Sequence, residues 1–373
     1  MASTQWLELP FALVTPGQVL SAGIVLPLVC MALVGMRFHI RRIQKTPLGI
    51  DDWLSTLGVV FITGMGACLI TGERLQVYGY PTPVPAGTAA SEAYGLFLDA
   101  YILQAKIQFA MQFLMIFAYG FVKASIICFC RRIFVGHKNS AFDRVSLAGL
   151  GLVILWSIGF FFGLVLGCGK EVSLHWAPLQ VMAESGCDGI SPEEALVISD
   201  FILDLFILIL PLPSIWSLSM STGRKLAVTS IFLVGLMSLA ASAARMAIYL
   251  IVLYQGYGAG YDINRTAATM LWWSMLEISL AAIAACLPTL SFLARDVGLQ
   301  KIFRRLGSVT SSPSSWMLWG SSSKSDKPLE ISQDSLYGNS YPMDHVTQVG
   351  THEKSVHNTY QSEPTAHSTG SLV

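Results

Sequence analysis

The chain has 373 residues, of which 53% are hydrophobic and only 12% are charged, and its formal net charge is zero. Soluble globular domains carry about 25% charged residues, so this composition excludes an ordinary soluble domain and indicates a membrane protein with several spans. We therefore expect the lipid bilayer to be its main partner, and we expect no nucleic-acid partner.

Seven apolar runs are each long enough to cross the hydrocarbon core of a bilayer as a helix. Residues 1–16, which precede them, contain no lysine or arginine, so the basic segment of a cleaved signal peptide is missing and a short extracellular tail is predicted. The predicted fold is an all-α membrane protein, a seven-transmembrane-helix bundle over residues 17–295. The runs lie at about 17–36, 53–72, 101–130, 145–167, 195–218, 226–254 and 267–293.

The basic residues divide unevenly between the two sets of connecting segments. Fourteen lysines and arginines lie in 37–52, 131–144, 219–225 and 295–305, whereas the opposite connections contain three. Cytosolic segments near membrane spans carry the excess of lysine and arginine. The N-terminus is therefore predicted to lie outside and the C-terminus in the cytosol, and we expect a multi-pass protein of the plasma membrane.

The region after the seventh run changes character twice. Residues 296–306 alternate apolar side chains with three basic ones, which suits either a short interfacial helix or a continuation of helix seven. Residues 307–373 are rich in serine and threonine and show no sustained hydrophobic period. They are predicted to form a disordered cytosolic tail.

Two of the seven cysteines, Cys168 and Cys187, lie outside the predicted spans in one outer connection. An oxidising compartment favours a disulfide between them, which in the chain-entropy model would contribute roughly 3 kcal/mol. The alternative is two free thiols near the membrane surface. The same side carries one glycosylation sequon at Asn264, which is so close to helix seven that we expect it to be mostly unused.

The fifth run keeps two carboxylates, Asp200 and Asp204, on one helical face. At 1.5 Å per residue, Asp204, Arg245 and Glu277 all lie about 14–15 Å below the outer surface, and Asp200 lies about 8 Å below it. The guanidinium of Arg245 can bridge two carboxylates, so a cluster of Asp204, Arg245 and Glu277 is predicted near the midplane. It serves either as structural ion pairs or as the lining of a ligand pocket or ion path.

Helix three adds a polar stripe, Gln104, Gln108 and Gln112, at a spacing of four residues. It also carries Lys123, which is too deep to reach the head groups and is expected to bind the backbone or the Asp51–Asp52 pair. The seventh run contains no lysine, so a retinal Schiff base is excluded and no cofactor is expected. No metal-ligand or catalytic motif is present either, so we name no metal site and no catalytic residue.

Several short motifs, in their order and spacing, resemble the fungal rhodopsin-domain integral membrane proteins, a receptor-like family related to proteins through which plant-pathogenic fungi sense host surfaces. The similarity covers roughly residues 17–295. It departs from the family pattern at Cys130 and Ser291. The matching residues are Asp51-Asp52-Trp53, Lys123-Ala124-Ser125-Ile126, Arg132-Ile133-Phe134, Cys168, Trp176, Cys187, Asp204 with Pro211-Leu212-Pro213, and Glu277 with Ala285-Cys286-Leu287-Pro288-Thr289.

This resemblance implies a receptor-like membrane protein that senses a small molecule or a surface cue. Such a receptor would signal to a cytosolic partner through its inner connections and tail. The alternative is a membrane protein of a secondary-metabolite biosynthetic cluster, acting as an enzyme or a transporter. Buried carboxylates can also act as acids, so the residues alone leave both functions open.

Overall fold

A computed structural model of the chain describes residues 11–85, 88, 99–134, 140–169, 171–187, 190–213, 222–255 and 261–296. All the regular secondary structure in these ranges is helical. The predicted tail over 307–373 lies outside the described residues, as does the predicted interfacial helix over 296–306 beyond its first residue.

Seven helices of twenty residues or more are found in the described ranges. A turn of 3-10 helix and one short helix lie between the fourth and fifth long helices. In chain order they are α1 Pro16–Ile43, α2 Ile50–Arg74, α3 Asp99–Phe134, α4 Ala141–Leu166, the 3-10 helix Val172–Trp176, α5 Leu179–Glu184, α6 Ile190–Ile209, α7 Thr222–Gln255 and α8 Ile263–Asp296.

Six of the long helices contain a stretch that is long and apolar enough to cross a membrane, and the chain is therefore a multi-pass membrane protein. The exception is α6, whose twenty residues include four carboxylates, Glu193, Glu194, Asp200 and Asp204. The six stretches are Pro16–Ile43, Ile50–Arg74, Asp99–Phe134, Ala141–Leu166, Phe232–Tyr254 and Asn264–Leu287.

The boundaries of α6 differ most from the prediction. The apolar run suggested 195–218, whereas the helix begins at Ile190 and ends at Ile209. It ends there because Pro211 and Pro213 follow: proline lacks a backbone N–H, and it disfavours helical geometry in the residue before it. Its early start is polar, so hydrophobicity alone could not reveal it.

α3 lies at the centre of the bundle, in contact with α2, α4, α6 and α8. Met111, Met115 and Tyr119 follow one another at four-residue intervals along it and are all buried. α4, by contrast, buries only three of its 26 residues and leaves large apolar side chains exposed. The centre of the bundle is therefore α3, and α4 presents most of its surface to lipid.

α1 and α2 approach closely because both carry glycine at their contact. A Cβ atom at Gly66 would lie 2.6 Å from the carbonyl oxygen of Gly23 and 2.7 Å from Cγ of Pro27. Small residues permit such backbone approach between membrane helices. The pair is therefore held by close packing that a larger side chain would disrupt.

Cys168 and Cys187 form a disulfide, as predicted. The bond closes the segment between α4 and α6, which contains the 3-10 helix and α5, and the 3-10 helix packs against α3. We call this end of the bundle the disulfide end. The start of α8 is fastened here too, because Thr82 donates hydrogen bonds of 3.0 and 3.1 Å to the carboxylate of Asp262.

Candidate functional site

Five charged side chains from four helices meet inside the bundle, and we call them the buried charge cluster. Four of them are almost completely buried, while Asp204 is 14% exposed. All five were predicted as site residues. They are Lys123 of α3, Asp200 and Asp204 of α6, Arg245 of α7 and Glu277 of α8.

Asp200 is the centre of the buried charge cluster. Nη2 of Arg245 donates to one of its oxygens at 2.6 Å, and Nζ of Lys123 lies 3.0 Å from the other. Nε of Arg245 also donates to Glu277 at 2.9 Å. Each cation therefore meets two carboxylates, since Lys123 also pairs with Asp204. One ion network thus joins α3, α6, α7 and α8.

The pairing differs from the predicted one in two respects. Arg245 was expected to bind Asp204, which was wrong: it binds Asp200, and Asp204 pairs with Lys123. The cause is the early start of α6 at Ile190, which places Asp200 ten residues into its helix. Arg245 lies ten residues from the end of α7, so the two side chains reach the same depth.

The carboxylates of the buried charge cluster could also serve as metal ligands by spacing alone. Asp200, Asp204 and Glu277 each offer one oxygen, and these oxygens lie within 4.8 Å of one another. Two cationic side chains already lie among them, so most of the negative charge is balanced within the protein. Removing charge from water is costly unless it is paired, and this geometry favours structural ion pairs.

The second feature is a cavity of about 230 Å³ between the buried charge cluster and the disulfide end, which we call the bundle cavity. It is lined by α3, α4, α6, α7, α8 and the segment that the disulfide closes. Most of its wall is apolar, with Phe109, Ile116, Phe160, Leu164, Leu196 and Met270 among the lining side chains.

One wall of the bundle cavity is polar. Gln104, Gln108 and Gln112 all line it, as their spacing on one helical face allows. Nε2 of Gln104 donates to Gln108, and Nε2 of Gln112 donates to Glu193 of α6 at 2.6 Å. The predicted glutamine stripe therefore faces a cavity, and the charged residues of the buried charge cluster do not line that cavity.

Glu193 was missed by sequence reasoning, because the predicted helix began at 195. The available signal was spacing: Glu193 precedes Asp200 by seven residues, which places both on one face of a helix two turns apart. If the predicted helix had begun a few residues earlier, among the polar residues before the apolar run, Glu193 would have been recognised as part of it.

The cavity and the cluster are adjacent but separate. Leu196 and Tyr249 line the cavity, and they lie one helical turn from Asp200 and Arg245 respectively. None of the five cluster residues is among the described lining residues. The structure therefore divides the predicted site residues into two groups, with Gln104 and Gln108 at the cavity and the charged residues behind its wall.

The disulfide end covers the cavity. Cys168 and His175 both line it. The ring nitrogens of His175 lie 2.7 Å from the carbonyl oxygen of Leu164 and 3.2 Å from that of Val172, and its ring packs against Phe109 at 4.8 Å. These contacts hold the segment between α4 and α6 in place beside the cavity.

A second ion network occupies the opposite end of the bundle. Arg37 of α1 is fully buried: it pairs with Asp51, donates to Asp52 at 2.6 Å and donates to the carbonyl oxygen of Ala285 at 2.7 Å. Arg37 was predicted only as a basic residue of a connection. Arginine already occupies these aspartates, so the expectation that they bind Lys123 was wrong. The alternative expected partner, the backbone, is confirmed, because Nζ of Lys123 donates to the backbone carbonyl oxygen of Asp200 at 3.4 Å.

Asn264, the predicted sequon residue, is fully buried near the start of α8. Its backbone N–H donates to the hydroxyl of Thr82 at 3.1 Å, which fixes it at the disulfide end. A buried asparagine is out of reach of a glycosylating enzyme. This supports the expectation that the sequon is unused, which stays a prediction.

The helices, the buried ion networks and the lipid-facing surface together define a multi-pass α-helical membrane protein. The family model of the fungal rhodopsin domain matches residues 36–296. The chain therefore belongs to the fungal rhodopsin domain family, which the motifs had indicated.

Two curated relatives are similar to the chain. Phomoidride biosynthesis cluster protein H of a fungal species is 23% identical over 323 residues, covering 82% of this chain and 91% of that protein. Fugralins biosynthesis cluster protein 2 of Gibberella zeae is 26% identical over 110 residues, covering 30% of this chain and 26% of that protein. No solved structure matches the chain.

Proposed function

We propose that this protein is a receptor-like seven-helix membrane protein that binds a small, largely apolar molecule in the bundle cavity. The observation that carries the proposal is the cavity itself, which has an apolar wall opposite a stripe of glutamines and one carboxylate. Small-molecule sites typically combine apolar linings with a few placed polar groups, and they occur between helices of bundles. No retinal linkage is included, because α8 contains no lysine.

We treat α6 as a membrane span in addition to the six apolar stretches described above, which gives seven spans in all. Its two deep carboxylates have cationic partners in Lys123 and Arg245, which removes the main obstacle to a membrane position. With the N-terminus outside, the bundle cavity lies in the outer half of the plasma membrane. The cytosolic partner would bind at the end of the bundle that carries the Arg37 network.

This orientation is tested with protease-sensitive tags in intact cells. A tag before Met1 should be cleaved only from outside, and a tag after Val373 only from the cytosol. Cleavage of both tags from the same side would contradict the seven-span arrangement, whatever the cavity binds.

A second function is supported by the two relatives, which are both named as biosynthesis cluster proteins. The protein would then act in a secondary-metabolite pathway as an enzyme or a transporter. For an enzyme, the carboxyl group of Glu193 is the group positioned in the cavity for acid–base chemistry. A transporter would need a path past the buried charge cluster, which lies behind the cavity wall.

Two glycines of α4 provide a matched test of the cavity. Gly163 lines the cavity, and a Cβ atom there would meet nothing within 4 Å. Gly159, one turn away, has equally open space but does not line the cavity. Gly163→Phe therefore places a large side chain at the cavity wall without a clash at Cβ, while Gly159→Phe makes the same change of helix propensity and bulk elsewhere.

The assay compares small molecules that co-purify with each variant after incubation with an extract of the culture medium. Mass spectrometry of the released molecules should show a species bound to the wild type and to Gly159→Phe, and reduced at least tenfold in Gly163→Phe. Release of that species unchanged supports a receptor, whereas conversion to a new mass supports the enzyme. Equal capture by all three proteins would refute binding in the cavity.

A further inference from the structure

We propose that Glu193 makes the bundle cavity selective for molecules that carry a protonated amine on an apolar body. The inference rests on the proposed function, since it names the class of molecule that the same cavity takes. Nothing in the names of the relatives specifies such a class.

The first observation is that Glu193 has no lysine or arginine within ion-pairing distance among the described residues, although the charge of Arg245 acts on it from farther away. Its carboxylate lines the cavity and accepts one hydrogen bond, from the uncharged amide of Gln112. The described lining residues include no lysine and no arginine. His175 also lines the cavity, but both of its ring nitrogens face backbone carbonyl oxygens.

The other carboxylates in the ion networks of the bundle differ from Glu193 in this respect. Each of these carboxylates has at least one arginine or lysine within ion-pairing distance. The carboxylates are those of Asp51, Asp52, Asp200, Asp204 and Glu277. Removing a carboxylate from water is costly unless a partner compensates it. An ammonium group on a bound molecule would supply for Glu193 what the protein supplies for the others.

The second observation is an unsatisfied hydroxyl in the same cavity. Thr266 of α8 lines the cavity and is only 5% exposed, and its hydroxyl has no hydrogen-bond partner among the described residues. A hydroxyl oxygen accepts hydrogen bonds from an ammonium group. Glu193 and Thr266 come from different helices, so the polar groups that would receive an ammonium are not confined to α6.

The rest of the lining suits an apolar body attached to the amine. Tyr101, Phe109, Phe160 and Tyr249 line the cavity together with aliphatic side chains. Aromatic faces attract cations as well as burying apolar surface. An anionic molecule, in contrast, would meet the carboxylate of Glu193 without a lysine or arginine in the described lining to offset it.

The experiment uses three probes of similar size and shape: 2-phenylethylamine, 2-phenylethanol and 3-phenylpropionate. Binding to the purified full chain in an uncharged detergent is measured at neutral pH by ligand-observed NMR. The amine should bind at least tenfold more tightly than the alcohol, and the carboxylate should bind more weakly than either.

Glu193→Gln is the test variant and Glu194→Gln is its control. Both remove one carboxylate from the same turn of α6, but Glu194 does not line the cavity. The preference for the amine over the alcohol should fall below threefold in Glu193→Gln and stay above tenfold in Glu194→Gln. Equal binding of the amine and the alcohol to the wild type, or equal effects of the two variants, would overturn the proposal.

Gly163→Phe separates this result from a failure of the proposed function. If the amine and the alcohol bind equally and Gly163→Phe abolishes both, the cavity is a binding site and only the amine selectivity is refuted. If no probe binds, the amine selectivity is refuted, and the extract assay decides on the cavity independently.

Discussion

Neutralising Asp200 should destabilise the protein much more than neutralising Asp204, although the two lie one turn apart on α6. Asp200 is fully buried, and its oxygens meet Arg245 at 2.6 Å and Lys123 at 3.0 Å. Asp204 is 14% exposed and has one cationic contact among the described residues, Lys123. Removing one partner of a buried ion pair costs roughly 3–5 kcal/mol, and we expect Asp200→Asn to fall in that range. Asp204→Asn should cost roughly 1.5 kcal/mol, the low end for a hydrogen bond to a charged group, because its carboxylate is partly exposed.

Comparing Asp200→Asn with Asp204→Asn separates the effect of lost contacts from the effect of a changed net charge. The buried charge cluster contains three carboxylates and two cations, and both substitutions leave two of each. A difference between the variants must therefore come from the position of the carboxylate that is lost. Arg245→Leu leaves three carboxylates with one cation, so it should be the most destabilising of the three.

The measurement is thermal unfolding of the purified proteins in one detergent, followed by tryptophan fluorescence and by the fraction that remains monodisperse after heating. The expected order of stability is wild type, Asp204→Asn, Asp200→Asn and then Arg245→Leu. Equal destabilisation by the two asparagine variants would refute the assignment of Asp200 as the centre of the network.

A double variant distinguishes the two predicted roles of the buried charge cluster. Asp200→Asn with Arg245→Gln removes an opposite pair and should recover stability relative to Arg245→Leu. If the cluster is structural, the double variant should also keep the binding measured with the culture extract. Recovered stability without binding would instead place the cluster in the functional site.

Three further predictions follow from the described contacts. Cys168→Ser should lower the free energy of unfolding by roughly 3 kcal/mol, since the bond joins cysteines separated by 19 residues; thermal stability that reductant leaves unchanged would contradict this. Gly66→Ala should cost about 1–3 kcal/mol through overpacking, whereas Gly35→Ala, with nothing within 4 Å, should not destabilise the protein in the same assay. Asn264 should carry no glycan, and a mobility shift after endoglycosidase treatment would show otherwise.

The sequence by itself determined the class of the protein and most of its membrane helices. Apolar side chains must cover any segment that crosses hydrocarbon, so long apolar runs reveal the spans without knowledge of their packing. Spacing within one helix was also readable, as for the glutamine stripe of Gln104, Gln108 and Gln112. The disulfide was predictable because Cys168 and Cys187 are the two cysteines outside the predicted spans.

Contacts between helices depended on information that only the tertiary structure contains. The choice of Asp200 over Asp204 as the partner of Arg245 depends on where α6 begins and on how far it is shifted along α7. Glu193 escaped notice because it precedes the apolar run. The burial of Arg37 was not predictable either, because a basic residue at the end of a span is usually expected to face the head groups. A shift of one helical turn moves a side chain by about 5.4 Å, which is more than the length of an ion pair. Hydrophobicity does not constrain such a shift, so the packing of the helices decided which charges meet.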